Sequence, residues 1–215
     1  MNLKNDGTIA LIVGKGNSGK GTQNQKLRDR YDYGYFSSGD ILREVAKGDT
    51  GIGRIVKGYM EKGMNVPDEH VNPAALQFLQ GGARHKLLDG YSRNIEQAKF
   101  LLENFGKDRI VIVNLLCSDQ LCIDRASNRR QCKFCKETQV ENTSGTCVFC
   151  RTEEALVIRP DDAIIRDRLI TYRRETVPMI EYFREQGVTI FDIDVEAGTE
   201  ATAPIIAEFL KPYFG

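Results

Sequence analysis

Residues Gly14 to Thr22, reading GKGNSGKGT, follow an apolar run (Ile9, Ala10, Leu11, Ile12, Val13) and precede a helical pattern. A strand, a glycine-rich turn and a helix start in that order commit the chain to an α/β unit with a phosphate-binding loop at the strand's carboxyl end. Gly14, Gly16, Gly19 and Gly21 carry no side chain that would hold a ligand away, so the backbone N–H groups of the turn can converge on phosphate oxygens. Lys20 adds positive charge where the outer phosphates of such a ligand would lie. The hydroxyl that ordinarily follows this lysine is displaced by one residue, to Thr22, with Gly21 between them.

The rest of the chain alternates strand-like and helix-like segments, the mark of a parallel sheet flanked by helices. Strands are expected near Ile9–Val13, Tyr35–Phe36, Lys86–Leu88, Ile110–Leu116 and Val188–Ile193. Helical patterns cover Lys20–Arg30, Asp40–Lys47, Gly53–Lys62, Val71–Leu79, Ile95–Asn104, Asp119–Ala126 and Thr199–Phe214. A long one begins near Asp162, with Ile165, Leu169, Tyr172, Met179, Ile180 and Phe183 on one stripe, and Pro178 should kink or divide it. A length of 215 residues fits one domain with room for small insertions. Thirty basic residues balance thirty acidic ones, so no net field draws the chain to nucleic acid or membrane. Met1–Thr8 is polar and holds no signal core, and no stretch reaches the length of a membrane span, so a cytoplasmic protein is expected.

Composition changes abruptly once, over Asn128–Ile158. This polar segment carries Cys132-Lys-Phe-Cys135 and Cys147-Val-Phe-Cys150, two C-x-x-C knuckles separated by residues 136–146. Four thiolates on two turns can close a tetrahedral Zn²⁺ site, leaving no open position for catalysis. With few apolar residues, the segment needs such a staple. Iron in the same cage, or two disulfides after oxidation, are the alternatives; a reducing compartment favours zinc. Cys117 and Cys122 read as small core residues.

Two further turns should face the phosphate-binding loop, because ligands sit beyond the carboxyl ends of strands in an open parallel sheet. They are SSGDILR at Ser37–Arg43 and LLDGYSRN at Leu87–Asn94. Arg129, Arg130, Arg159 and Arg168 border the cysteine insertion; Arg130 alone reads as an ordinary surface charge.

Taken together, GKGNSGKGTQ, SSGDILRE, DGYSRNIEQA, DRASNRR, and RPDD followed by RDRL resemble the adenylate kinases of the long, zinc-bearing lid type, in the family's order and over essentially the whole chain. The resemblance implies a P-loop NTPase-type parallel five-stranded sheet flanked by helices. It also implies a helical monophosphate-binding insertion over residues 38–67 and a small four-cysteine lid over residues 128–159. The activity implied is reversible phosphoryl transfer from ATP, with Mg²⁺, to AMP, by a monomer.

By the same resemblance, Gly14, Asn17, Ser18, Gly19, Lys20, Gly21 and Thr22 bind the donor phosphates and Arg125 stacks on the donor base. Lys20, Arg93, Arg129, Arg159 and Arg168 surround the transferring group, and Asp89 holds Mg²⁺ through water. Ser38, Gly39, Arg43, Met64, Val66, Gly90, Arg93 and Gln97 hold AMP. Such chemistry rests on positioning and cations and needs no general base, in keeping with His70 and His85 falling in no motif.

Departures from the family pattern lie at Asn17, where Gly is usual, at Ser92, where the family has proline, and at Asn94, where Thr is usual and UMP/CMP kinases have Asn. Ser92 should bring a trans Tyr91–Ser92 bond, since a non-proline cis bond costs about 2.5–4 kcal/mol. A pyrimidine monophosphate kinase and a nucleotide-binding protein with weakened turnover are the alternatives. A zinc ribbon binding nucleic acid has little support, since the insertion holds few basic residues and only Phe134 and Phe149 as aromatics.

Overall fold

A computed structural model describes residues 7–135, 137–140 and 144–215. In chain order, β1 (Ile9–Gly14) leads through the phosphate-binding turn into α1 (Lys20–Arg28), and β2 (Gly34–Ser37) leads into α2 (Ser38–Lys47), α3 (Gly51–Glu61) and α4 (Asp68–Gln80). Then come β3 (Lys86–Asp89), α5 (Ile95–Phe105), β4 (Ile110–Leu116) and α6 (Asp119–Asn128). The cysteine insertion contributes β5 (Arg129–Cys132), β6 (Thr138–Val140) and β7 (Leu156–Val157). The chain closes with α7 (Pro160–Ala163), α8 (Ile165–Thr171), a π turn (Tyr172–Thr176), α9 (Val177–Glu185), β8 (Thr189–Asp194) and α10 (Thr199–Phe214). No helix among the described residues is long and apolar enough to cross a membrane.

The main sheet is parallel throughout, in the order β2-β3-β1-β4-β8. The central position of β1 explains its composition, since a strand covered on both faces reads as a continuous apolar run. Ile9, Leu11 and Val13 point into one core, with Leu88, Ala98, Leu101, Met179 and Phe183. Ala10 and Ile12 point into the other, with Leu27, Val111, Val113, Ile206 and Leu210. Five strands stand where the sequence pattern puts them, each within a residue or two at its ends.

Local caps explain where several helices start. Ser37, Thr50, Asn94 and Ser118 each present a side-chain oxygen to an N–H of the first turn of α2, α3, α5 and α6. α1 ends at Arg28 rather than Arg30, as Arg30 and Tyr31 both turn back to the Leu27 carbonyl. The region before Pro178 differs from the expected kink. Proline has no N–H and its ring crowds the carbonyl four residues back, that of Arg174. The chain widens there into the π turn, in which the Val177 N–H bonds the Tyr172 carbonyl, and α9 continues without a break.

Candidate active site

At the carboxyl end of β1 the turn takes conformations that its residues are suited to. Gly14, Asn17 and Gly19 have φ of 151°, 64° and 104°. A Cβ on Gly14 would stand 2.8 Å from Ser18 Oγ and 3.0 Å from the Leu115 carbonyl. Asn17 adopts the left-handed region more readily than other residues with a side chain. No side chain caps α1, so its first N–H groups stay open to an anion, with exposed Gly21 and Thr22 in that first turn.

Lys20 curls back over the turn, donating from Nζ to the carbonyls of Gly14 at 2.9 Å and Lys15 at 2.8 Å. Burial pulls its amine down to about 8; Asp89 opposes that shift, while Arg168 and Arg93 add to it. Asp89 ends β3 and accepts from Tyr35 Oη at 3.0 Å. Arg125 donates to the carbonyls of Asn17, Ser18 and Val195, at 3.3, 3.1 and 3.4 Å, bracing the turn from below.

Two adjacent carboxylates at the start of α7 gather the arginines. Asp161 Oδ2 lies 3.1 Å from Arg43, 3.3 Å from Arg159 and 3.7 Å from Arg168. Burial works against the Asp161 carboxylate, but Arg168, Arg43, Arg159 and Arg93 outweigh it and hold its pKa below the ordinary range. Asp162 is buried and takes a two-pronged contact from Arg129, Nε at 3.0 Å and Nη2 at 2.6 Å. Asn17 joins this pair, donating to Asp162 at 3.0 Å and accepting from Arg129 at 2.6 Å. Arg130 stays outside the cluster, on the carbonyls of Ser127 and Arg129.

Arg93 lines every part of the crevice. Burial, then the neighbouring Arg168, draws its guanidinium down to about 10. An open cleft enclosing about 550 Å³ of space, solvent included, runs from Gly14, Gly16 and Lys20 to Arg93 and Arg168. A second, of about 410 Å³, is lined by Gly39, Arg43, Met64, Val66, Arg93 and Asp161. A third, smaller one brings Ser38, Gly90, Arg93 and Gln97 together. These spaces unite the two turns and the glycine-rich loop as the strand ends predict.

Several side chains in this crevice are already engaged. Ser38 Oγ donates to the Gly90 carbonyl at 2.6 Å. Gln97 accepts from the Arg93 N–H at 2.8 Å and donates to Asp68 at 2.7 Å. Asn94 caps α5 through Oδ1 and donates from Nδ2 to Asp68 at 2.9 Å. Its amide is therefore occupied in shaping the turn, a task Thr also performs as a cap, which weakens the link between Asn94 and a pyrimidine acceptor.

One expectation is corrected: the Tyr91–Ser92 bond is cis. The trans expectation weighed only the intrinsic preference of the bond. In the fold, both sides of the bond are fixed by tertiary contacts: Tyr91 Oη donates to Asn72 at 2.8 Å, the Arg93 N–H to Gln97, and Thr176 to the Arg93 carbonyl at 3.0 Å.

The four insertion cysteines converge, with all sulfurs within 4.8 Å of one another. Cys132 and Cys150, and Cys135 and Cys147, are separated by 3.6 Å. A zinc–sulfur bond of about 2.3 Å places tetrahedral thiolates about 3.8 Å apart, so the donor set and its spacing fit a closed metal site. Pairing as two disulfides would need sulfur separations of about 2.05 Å.

Sequence reasoning missed Asp161 and Asp162 as the anionic partners of the arginines, although their adjacency in RPDD was a signal. It also missed Asp68, Tyr35, Tyr172 and Asn65; Asn65 accepts from Arg93 at 3.4 Å and donates to Glu175 at 2.6 Å. Nothing in their local pattern marks them, because each becomes relevant only through a partner distant in sequence.

Comparisons with known proteins agree with the geometry. The family profile described as adenylate kinase matches residues 12–188. The adenylate kinase of Caldanaerobacter subterraneus subsp. tengcongensis is 35% identical over 95% of this chain and 96% of its own length. That of Caldicellulosiruptor bescii is 34% identical over 94% and 96%, and that of Rickettsia akari 34% over 83% and 88%. A strand-turn-helix phosphate loop, a crevice lined with arginines and this match along most of the chain lead to one conclusion: the chain belongs to the adenylate kinase family.

Proposed function

We propose that the protein catalyses reversible phosphoryl transfer from ATP to AMP, giving two ADP. The observation that carries this reading is the convergence of Lys20, Arg43, Arg93 and Arg168 on one crevice, with Arg43, Arg159 and Arg168 gathered in the free protein on the single carboxylate of Asp161. Such a density of cations is suited to the negative charge of two polyphosphates meeting end to end, where positioning and charge neutralisation supply most of the catalysis.

On this reading the turn Gly14–Thr22 cradles the donor phosphates, and Lys20 moves from the carbonyls of Gly14 and Lys15 onto phosphate oxygens. Arg93, Arg129, Arg159 and Arg168 hold the transferring group in line. Arg43 and Arg93 take the AMP phosphate, while Ser38, Gly39, Met64, Val66, Gly90 and Gln97 line its nucleoside pocket. Arg125 flanks the donor base, using a flat guanidinium that lysine lacks. Residues 38–67 and 128–159 act as the two mobile covers of the crevice. Their closure excludes water, which would otherwise hydrolyse the triphosphate.

Asp89 is the residue to hold Mg²⁺ through water, and the ion when bound neutralises the charge shared by the β- and γ-phosphates. Cys132, Cys135, Cys147 and Cys150 hold Zn²⁺ as a structural ion, with no open position for chemistry. The protein works as a monomer in the reducing cytoplasm.

The test is diphosphate formation from ATP and Mg²⁺ with AMP, CMP, UMP and GMP offered separately. Turnover confined to AMP is expected. A preference for CMP or UMP would move the acceptor to the pyrimidine branch, and no turnover with any acceptor would leave nucleotide binding without transfer.

A further inference from the structure

Two of the six cysteines lie outside the metal cluster, and the fold brings them together. Ser118 caps α6, its Oγ accepting from the Leu121 N–H at 3.1 Å. Cys117 is therefore the residue before the cap and Cys122 the fourth residue of the helix, the two positions at which an apolar pair usually closes over a helix start. Here the pair is two thiols whose sulfurs stand 3.4 Å apart.

Their surroundings differ. Cys122 is buried against Ala126, Ile165 and Leu169, whereas Cys117 is half-buried between exposed Leu116 and Ser118. The contact with Cys122, whose S–H can donate to an ionised Cys117, and the positive charge of Lys15 and Arg125 draw the Cys117 thiol down to about 7 against the opposing effect of burial. The same hydrogen bond and burial push Cys122 up. A nucleophilic sulfur on a half-buried residue thus faces a buried resolving partner.

The pair sits beside the phosphate-binding turn. Lys15 donates to the Cys117 carbonyl at 2.7 Å and pairs with Asp119 at 2.6 Å, while Arg125, one turn beyond Cys122, carries the carbonyls of Asn17 and Ser18.

We propose that Cys117 and Cys122 form a peroxide-sensitive thiol pair that closes to an intramolecular disulfide next to the phosphate-binding turn. The Cys117 thiolate attacks one oxygen of hydrogen peroxide; the O–O bond breaks, the leaving oxygen departs as water with a solvent proton, and Cys117 becomes a sulfenic acid. The Cys122 sulfur then attacks the Cys117 sulfur. The S–O bond breaks, the hydroxide takes the Cys122 proton and leaves as a second water, and the S–S bond forms. Two thiols are oxidised and one peroxide is reduced. The sulfurs need to approach by about 1.4 Å to reach bonding distance.

The full-length, zinc-loaded protein tests this. Residues 110–125 follow Arg109 and end at Arg125, so trypsin releases both thiols on one peptide. After brief exposure to peroxide, alkylation with iodoacetamide and digestion, wild-type protein should yield this peptide unalkylated and lighter by two hydrogen atoms. Dithiothreitol should restore full alkylation. Cys122→Ala should leave Cys117 as a sulfenic acid that dimedone traps, while wild-type protein loses that adduct. Should Cys122→Ala fold poorly, the mass of the wild-type peptide decides alone. Full alkylation of the peptide while zinc is released, or a dimedone adduct equal in wild type and variant, would overturn the proposal.

Discussion

In the main sheet, β1 alone buries Ile9, Leu11, Val13, Ala10 and Ile12 against two helical layers, whereas the described part of the cysteine insertion buries only Cys132, Cys147 and Ala155, with Leu156 half-covered. Burying one large aliphatic side chain stabilises by about 1.5–3 kcal/mol, so the sheet accumulates stability that the insertion has no residues to match. The insertion's three short strands leave its shape to the thiolates. One region is held by area removed from water, while the other has a single four-cysteine cluster suited to one metal ion to organise it, and the two should fail independently.

Removing the metal is the harshest way to test that contrast. Structural zinc contributes an apparent ~10–16 kcal/mol in small finger peptides, far beyond what this insertion's packing supplies. Chelation, or Cys132→Ser with Cys147→Ser, should abolish amide protection over β5 and β6 and reduce phosphoryl transfer, while β1 and β4 exchange as slowly as before. Unfolding of the sheet at the same chelator concentration would break the comparison. The reciprocal variant is Leu11→Ala, which should lower global stability by ~2–5 kcal/mol while zinc content stays unchanged.

The next test uses charge. Burial, Arg168 and Arg93 together draw Lys20 below its ordinary value to about 8, despite the pull of Asp89. A depressed lysine binds fewer protons folded than unfolded between about 8 and its usual 10.5, so over that range the free protein gains stability from this group as pH rises. A bound triphosphate favours the charged amine and reverses the preference. The thermal stabilisation given by ATP should therefore hold steady below pH 8 and shrink above it, with each further pH unit weakening binding by up to about tenfold. An ATP-induced Tm shift that stays flat to pH 10 would separate Lys20 from the phosphates.

Much of this was legible in the sequence because the signals are local. The apolar run before GKGNSGKGT marks β1, the glycines mark the turn, and the C-x-x-C spacing marks the cluster. Partners joined only by folding were not legible. Asp161 meets Arg43 across a long stretch of chain, and Asp68 receives both Asn94 and Gln97. The cis Tyr91–Ser92 bond and the π turn before Pro178 are likewise tertiary outcomes that override a local preference. The thiol pair belongs with these: Cys117 and Cys122 read as small core residues, and their pairing emerges only where the fold brings their sulfurs together.

The mildest test concerns the place where the two regions touch. Asn17 belongs to the phosphate-binding turn, yet its amide joins the Arg129–Asp162 pair that brackets the insertion on both sides. Gly in its place keeps the φ of 64° at no steric cost and removes two hydrogen bonds. Since Arg129 and Asp162 remain bonded to each other, the loss should be about 1 kcal/mol, or roughly fivefold in the KM for ATP. The kcat should hold, or rise if opening limits turnover. Asn17→Asp places a carboxylate against Asp162 and should cost more than Asn17→Gly. Equal KM values for both variants would mean that turn and insertion meet without communicating; the ordered series Asn, Gly, Asp would make Asn17 the link through which phosphate binding is felt by the four-cysteine insertion.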